Sequence, residues 1–294
     1  HIGGGWLSLK QDSQALNAAA TMIQAEKPDL VVVTGDMAFP VFFKAGTFNN
    51  LLSAKEFAAL MERLGVYWTV AFGNHDSEIY SYYSREKVAD FYGSPEFKYC
   101  LFQKGPDDVD GYGNQIINVK NSKGLLTQSI YIFDSHSYTD GDYFGIMWKY
   151  DNIHDNQIEW YRNNVNLMNK QNNARLKELG MPEDSDVKSI AFFHIPLPEL
   201  RTAWYEYMAN GFKDTEDVKY VYGKAGEGKK IIYCGQRQDN LFKTMQELGS
   251  TKGIFYGHDH DNNFSIYYKG IRMTYSYSVD YLAYSGINKR GSQR

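Results

Sequence analysis

The chain has 294 residues, a length that fits one large domain of mixed helix and strand. Hydrophobic residues make up 43% of it, which is enough for a sizeable core and argues against disorder. With 35 acidic and 31 basic residues the formal net charge is -4, and this argues against nucleic-acid binding, since such proteins usually present a basic face. No apolar run approaches the roughly 20 residues that a membrane-spanning helix needs.

Hydrophobic periodicity predicts helices that alternate with strands, with a β-rich segment between two such regions. The first region is predicted to contain a helix at 12–27, a strand at 30–33, a helix at 54–64, a strand at 67–72 and a helix at 85–92. After the β-rich segment at 98–134 come a helix at 154–179, a strand at 189–193, a loop-rich stretch at 196–230, an apolar strand at 231–233, a helix at 240–248 and strands at 253–256, 264–268 and 271–275. This order predicts a layered α/β fold.

Four of the predicted apolar strands run directly into side chains that can bind metals. The four clusters are Gly35-Asp36, Gly73-Asn74-His75-Asp76, His194 and Gly257-His258-Asp259-His260. Because ligand sites in α/β sheets lie at the carboxyl ends of strands, we expect the clusters to converge. Taken singly, a Gly-Asp turn or a histidine after a strand is more often structural. All four in this order favour a functional site.

The residue types in these clusters favour hard or borderline divalent metals. Carboxylate, amide and imidazole donors without a thiolate fit Mn, Fe(II) or Zn, and Mg is also possible. Cys100 and Cys234 match no zinc spacing, and we expect two free thiols. A carboxylate such as Asp36 can bridge two ions, and two ions about 3.5–4 Å apart can activate a shared water and neutralise phosphoryl oxygens. The sequence therefore predicts two divalent metal ions and a phosphate-ester substrate.

The motif set resembles the calcineurin-like metallophosphoesterase superfamily over essentially the whole chain. Finer features resemble the branch that contains the dosage-dependent cell cycle regulator phosphatase, namely QKGP at 103–106, GYGN at 111–114, FFHIPLPE at 192–199 and GHDHDNNF at 257–264. The resemblance implies an α/β fold of four layers, an α/β/β/α sandwich with a dimetal site at the carboxyl ends of the strands. It also implies a single domain over residues 1–294.

The same resemblance implies a role for each residue of the metal site. Asp36 is expected to bridge the two metals, and one site is expected to be completed by Asn74, His194 and His258. His260 belongs to the other site, which His1 is expected to complete. The family begins with a strand that ends in Asp-x-His, and here only the His and the following glycine turn have counterparts. We therefore expect the native chain to continue upstream with an Asp two residues before His1, and to continue past residues 291–294 with the family's final strands.

The resemblance also assigns two catalytic residues. His75 is expected to face the leaving-group oxygen, which it protonates or whose charge it stabilises. Asp76 is expected to orient His75. Purple acid phosphatases share the motif set but place a tyrosine ligand three residues after the Asp of Gly-Asp. That position is Phe39 here, so we expect divalent ions and no tyrosinate-to-iron(III) colour.

The predicted function is hydrolysis of phosphate esters by a metal-bridging hydroxide, with phosphomonoesters, and by analogy phosphoproteins, as the leading substrates. A phosphodiesterase or nucleotide hydrolase on the same site is not distinguished by the motifs. The alternative from another class is a non-catalytic metal-binding interaction protein, because the Asp of the opening motif is absent. His75 and Asp76 argue against it, since that pair is not needed to hold metal. The oligomeric state is not indicated, and a cytoplasmic and a secreted protein both stay open.

Overall fold

A computed structural model describes residues 1–183, 186–229, 231–284 and 291. The helices in this part of the chain are α1 (Leu9–Glu26), α2 (Phe42–Ala45), α3 (Asn50–Leu64), α4 (Arg85–Tyr92), α5 (Asp155–Glu178), α6 (Pro198–Ala209) and α7 (Leu241–Leu248). The strands are β1 (Leu30–Val33), β2 (Tyr67–Val70), β3 (Gln115–Lys120), β4 (Leu126–Ile132), β5 (Lys188–Phe193), β6 (Val218–Tyr222), β7 (Thr251–Tyr256), β8 (Ser265–Tyr268) and β9 (Ile271–Tyr275). Short 3-10 helices cover His75–Ser77 and Glu227–Lys229.

The strands form two sheets. β1 and β2 pair in parallel as a two-stranded sheet. The other seven form a mixed sheet in the order β3-β4-β5-β7-β9-β8-β6. Its central strands β4, β5, β7 and β9 are parallel, whereas β3 and β8 run antiparallel to their neighbours. The carboxyl ends of the central strands therefore share one edge, where ligand sites of α/β proteins form.

Side-chain alternation along the strands creates an apolar layer between the two sheets. In β5, Ile190 and Phe192 belong to the cluster between the sheets, whereas Ala191 and Phe193 belong to the core under α5, α6 and α7. In β1, Val32 joins the cluster between the sheets. Because both faces of these strands are covered, they read as continuous apolar runs. The predicted four-layer α/β/β/α sandwich is confirmed, with α1, α3 and α4 on the outer face of the smaller sheet.

The stretch predicted as loop-rich, residues 196–230, contains α6 and β6, so that prediction is wrong. Pro198 stands at the start of α6, where its missing N–H costs no helical hydrogen bond. The buried positions of this helix then recur every three to four residues, at Leu200, Ala203, Trp204 and Tyr207.

The apolar strand predicted at 231–233 is also wrong, because these residues are irregular in the structure. The backbone N–H of Ile231 donates to the carbonyl of Glu227, and that of Tyr233 donates to the side chain of Asp259. These hydrogen bonds hold the segment to a turn and to a neighbouring loop. A neighbouring strand has no part in them.

Both cysteines are free thiols, as expected. Within the described ranges, no helix combines the length and the apolar character that crossing a membrane requires. The expectation that the family's final strands should follow residues 291–294 concerns positions outside the described residues.

Candidate metal centre

Asp36 lies at the centre of the site, three residues beyond the end of β1. Its Oδ2 lies 2.9 Å from Nε2 of His194 and 3.5 Å from Nε2 of His1. Its Oδ1 accepts a hydrogen bond of 2.8 Å from the backbone N–H of His75. Asp36 has φ +54, a left-handed conformation that is uncommon for residues other than glycine and that clusters at functional sites.

The first group of potential ligands consists of Asp36, His194 and His258, whose donor atoms lie within 4.8 Å of one another. Nδ1 of His194 donates to the carbonyl of Thr34 at 2.6 Å, which leaves Nε2 for the cluster. Nδ1 of His258 lies 3.3 Å from that atom. Burial lowers the pKa of His258, and the neighbouring His194 adds to this effect, so a neutral imidazole with a free lone pair is favoured at neutral pH.

The second group consists of His1, His260 and Asp280. Oδ2 of Asp280 lies 3.2 Å from Nδ1 of both histidines. Burial alone would raise the pKa of Asp280, but the two histidines outweigh burial and lower it. The chain start is fixed because the backbone N–H of Ile2 donates to the carbonyl of Met37 at 2.9 Å. His1 and His260 therefore lie together as expected, and the carboxylate of Asp280, which the sequence analysis did not single out, is a further candidate ligand.

Sequence reasoning missed Asp280 because it belongs to no motif. It lies five residues beyond β9, in an irregular segment whose path depends on tertiary packing. Its carboxylate also accepts backbone hydrogen bonds from residues 282 to 284, which form a turn around it. The available signal was its position after an apolar strand, which it shares with the other four clusters.

Several buried polar atoms at the candidate ligands lack a well-formed hydrogen bond. Among the described residues Oδ1 of Asn74 has no partner, and Nδ1 of His260 and both ring nitrogens of His1 have only carboxylate oxygens at 3.2–3.5 Å. Nδ2 of Asn74 donates to the hydroxyl of Tyr138 at 2.9 Å, so only its carbonyl oxygen is free. Because buried polar groups nearly always have partners, and because carboxylate, amide and imidazole are donors for divalent ions, this set fits two such ions.

His75 is oriented by Glu78, and the prediction that Asp76 orients it is wrong for this structure. Nδ1 of His75 donates to Oε1 of Glu78 at 2.7 Å, and the hydroxyl of Tyr138 donates to the same oxygen at 2.9 Å. The carboxylate of Asp76 instead accepts backbone hydrogen bonds from Gly73, Asp36 and Ala38. The reason is local geometry, since His75 begins a 3-10 turn in which side chains three residues apart overlap.

Glycine is required where the motif loops meet. A Cβ atom on Gly73 would lie 2.2 Å from Oδ1 of Asp36, and one on Gly35 would lie 2.6 Å from Nδ1 of His194. Gly35 also has φ +91, which side chains rarely adopt. Glycine at both positions lets the loops after β1, β2 and β5 approach one another closely enough to share Asp36.

Arg85 fastens the loop after β2 to the larger sheet. Its Nη2 donates to the carbonyl of Gly73 at 2.7 Å, its Nε donates to Oγ of Ser77 at 3.1 Å, and its Nη1 pairs with Asp134. Asp134 follows β4 and is fully buried. The charge-assisted contact with Asp134, together with the hydrogen bonds to Gly73 and Ser77, holds Asn74 and His75 at a fixed place relative to the candidate ligands that follow β5 and β7.

Comparison with known proteins supports the same fold and motifs. A dimetal phosphatase from Danio rerio has a similar structure, with a TM-score of 0.55 and 12% identity, over 92% of this chain and 79% of that one. Probable inactive purple acid phosphatase 14 from Arabidopsis thaliana is 29% identical over 275 residues, which is 90% of this chain and 62% of that protein. Phosphatase DCR2 from Saccharomyces cerevisiae is 29% identical over 276 residues, which is 87% of this chain and 40% of that protein.

The Arabidopsis and yeast proteins are longer than this chain, which spans less than two thirds of the length of each. The family match is the most informative comparison, because the sequence profile of the family covers most of the chain and includes every motif loop from Asp36 to His260. The profile described as calcineurin-like phosphoesterase matches residues 10–262, and the chain belongs to this family.

Proposed function

We propose that this chain hydrolyses phosphate monoesters with two divalent ions, Mn, Fe, Zn or Mg, held at the centre around Asp36. The observation that supports it most is the set of buried donor atoms of His1, Asn74 and His260 near that carboxylate, none of which has a well-formed hydrogen bond within the described part of the chain. When bound, the two ions supply charge neutralisation for the phosphoryl oxygens and a water of lowered pKa as the nucleophile.

Each group of ligands is proposed to hold one ion, with Asp36 shared between them. One ion is held by His194 and His258 together with the free amide oxygen of Asn74. The other is held by His1 and His260, and Asp280 lies between their ring nitrogens. The two groups contain imidazoles and three oxygen donors, which match the preferences of borderline divalent ions.

His75 is proposed to donate a proton to the leaving-group oxygen. Its side chain is 28% exposed, whereas the ligand His1 beside it is 2% exposed, so substrate can reach His75. Glu78 engages Nδ1 and thereby leaves Nε2 for the substrate. The hydroxyl of Tyr138 donates a hydrogen bond to Glu78 and thereby keeps that carboxylate directed at the imidazole of His75.

Two other functions compete with this proposal. A phosphodiesterase or nucleotide hydrolase would use the same ligands. A non-catalytic metal-binding protein would need neither His75 nor its buried partners, and the name of the Arabidopsis relative describes that protein as probably inactive. The hydrogen-bonded chain from Tyr138 through Glu78 to His75 supports catalysis, because it orients a partly exposed imidazole that the metal ligands do not require.

The test compares hydrolysis of 4-nitrophenyl phosphate with that of bis(4-nitrophenyl) phosphate, with and without added Mn, in the wild type and in Asp36→Asn. We expect Mn-dependent turnover that is faster for the monoester and absent from the variant. Faster turnover of the diester would assign the site to phosphodiesters. Two tightly bound ions per chain without turnover of either ester would favour the non-catalytic function.

A further inference from the structure

The loop between β4 and α5 displays a run of large apolar side chains to solvent. We call residues 143–148 the apolar tip. Its exposed side chains are Tyr143, Phe144, Ile146, Met147 and Trp148, and their exposed fractions range from 58% for Met147 to 78% for Ile146. Because apolar surface is favourably removed from water, contiguous exposure of this kind usually marks a place where something binds.

The apolar tip is held in shape by hydrogen bonds of its backbone, and of its large side chains Trp148 also packs against Tyr233, with ring centroids 5.6 Å apart. The buried carboxylate of Asp142 accepts hydrogen bonds from the N–H groups of Met147 at 3.1 Å and Lys149 at 2.9 Å. The N–H of Thr139 donates to the carbonyl of Lys149 at 2.8 Å and closes the base of the loop. A surface fixed in this way loses little conformational freedom when it binds a ligand.

The loop that carries the apolar tip packs against the candidate metal centre. Gly145 packs against Tyr138, since a Cβ atom on it would lie 2.6 Å from Cε1 and 2.8 Å from the hydroxyl oxygen of that ring. The same hydroxyl donates to Glu78 at 2.9 Å and accepts from Nδ2 of Asn74 at 2.9 Å. One side chain, Tyr138, therefore lies between the tip and residues of the centre, and Phe144 and Ile146 are the neighbours of Gly145 in the chain.

Aromatic rings also lie beside the histidines of the candidate centre. The ring of Phe39 lies 5.0 Å from that of His75 and 4.8 Å from that of His1. At the base of the loop, the ring of Tyr150 lies 4.3 Å from that of His258. The tip itself has no ionisable group other than the Tyr143 phenol. A charged or strongly polar leaving group would find few partners here, whereas an apolar one would bury surface against the tip.

We propose that the apolar tip binds the alcohol part of the substrate, and that the chain acts on phosphate esters of alcohols that carry a bulky alkyl or aryl group. This inference rests on the proposed function, because it names the substrate class of the same site. The tip contacts the alcohol as the phosphate is bound at the metal centre, so apolar area on the alcohol adds to the binding of substrate and transition state.

The test uses n-alkyl phosphates from methyl to octyl with the Mn-loaded protein. Their leaving-group oxygens are chemically alike, so chain length changes the apolar area and hardly changes the chemistry. We expect kcat/KM to rise by about two- to fourfold for each methylene that the tip buries. In Phe144→Ser/Ile146→Ser the octyl-to-methyl ratio should fall by at least about tenfold, since two of its largest contacts are removed. The matched control is Leu167→Ser, which replaces an exposed leucine of α5 and should keep the wild-type ratio.

Three outcomes would overturn the inference. The first is equal kcat/KM for methyl and octyl phosphate in a wild type that turns over 4-nitrophenyl phosphate, which leaves the proposed function intact. The second is a kcat/KM that does not change with alkyl chain length, together with binding of the wild type, but not of Phe144→Ser/Ile146→Ser, to phosphatidylcholine vesicles. That result would make the tip a membrane contact. If 4-nitrophenyl phosphate is not hydrolysed, the proposed function fails, and calorimetry with methyl- and octylphosphonate still tests the tip. Equal affinity for these two phosphonates is the third.

Discussion

At the scale of single residues, Asp36 is the group on which both ligand sets depend. Asp36→Asn should lose at least one ion and nearly all turnover, because a neutral amide bridges two cations poorly. Metal content per chain and kcat for 4-nitrophenyl phosphate are the measurements. The matched control is Asp217→Asn, which replaces a half-exposed carboxylate paired with Lys269 and should change neither. Full activity of Asp36→Asn with two ions bound would contradict the proposed centre.

Replacement of His75 should separate metal binding from the chemical step. His75→Ala should keep both ions and lose turnover by roughly 10²–10⁴-fold, the effect typical of a positioned acid–base group. The loss should shrink as the leaving group becomes more acidic, because such a group needs less protonation. A series of substituted phenyl phosphates measures this dependence. Glu78→Gln should show the same trend with a smaller loss, whereas an equal loss across the series would argue that His75 has another role.

Phe39 bears on the kind of metal that the centre holds. Its ring lies beside His1 and His75, at the position where the purple acid phosphatases are expected to carry a tyrosine ligand. A phenyl ring has no oxygen with which to ligate iron(III). The purified, metal-loaded protein should therefore lack a visible charge-transfer band. An absorption spectrum taken after loading with iron decides this, and a purple or pink product would show that another tyrosine reaches the metal.

At the scale of elements, the site residues at strand ends could be predicted from the sequence. The site residues that only tertiary packing brings to the centre could not. The clusters at Asp36, His194 and His258 follow apolar strands directly, so local pattern and the rule for parallel sheets were enough to bring them together. Asp280 reaches the site through an irregular segment, and nothing in its local sequence specifies that path. Glu78 depends on a 3-10 turn of three residues, which is too short to leave a periodic pattern.

The sequence analysis did not predict the helix α6, whose first turn contains a buried carboxylate with a raised pKa. Burial raises the pKa of Glu199 in its first turn to about 7, and nearby Asp239 adds to this. Between the ordinary pKa and about 7 the folded state binds more protons than the unfolded state, so this group lowers the free energy of unfolding as pH rises. Glu199→Gln removes the titration. It should leave stability similar at pH 4 and raise it by about 1–3 kcal/mol at pH 8.

Urea unfolding at both pH values measures the effect of Glu199→Gln. The comparison variant is Glu247→Gln on α7, whose carboxylate is half exposed and pairs with Arg162. It should change stability by less than about 1 kcal/mol at either pH, as is usual for surface pairs. A stabilisation of Glu199→Gln that is equal at pH 4 and pH 8 would mean that packing, and not the buried charge, is responsible.

At the scale of the whole molecule, the proposed metal centre takes its ligands from both sheets. Between the sheets lies one apolar layer. Asp36 and Asn74 follow the strands of the two-stranded sheet, whereas His194 and His258 follow strands of the seven-stranded sheet. The two sheets also meet through the apolar cluster around Ile130 and Ile132, through the buried hydrogen bond from Gln115 to Thr69 and through the contact of Arg85 with Asp134. Ions held by ligands from both sheets would therefore act as cross-links between the layers, so metal binding and global stability should be coupled.

Metal removal should consequently lower the stability of the entire fold. Each ion that binds the folded state alone adds about 4 kcal/mol when it is present at 1,000 times its Kd. For a chain of this length, saturation of both sites with Mn should raise the Tm of the chelator-treated protein by roughly 10–15 °C. His75→Ala should keep this increase, because His75 is proposed to donate a proton and all the proposed metal ligands remain. Asp36→Asn should lose most of it, because the shared carboxylate is gone. Thermal unfolding of the three proteins, with Mn and with chelator, tests the coupling. Equal Tm values with and without Mn in a wild type that binds two ions would show that the sheets are held together without the metal centre.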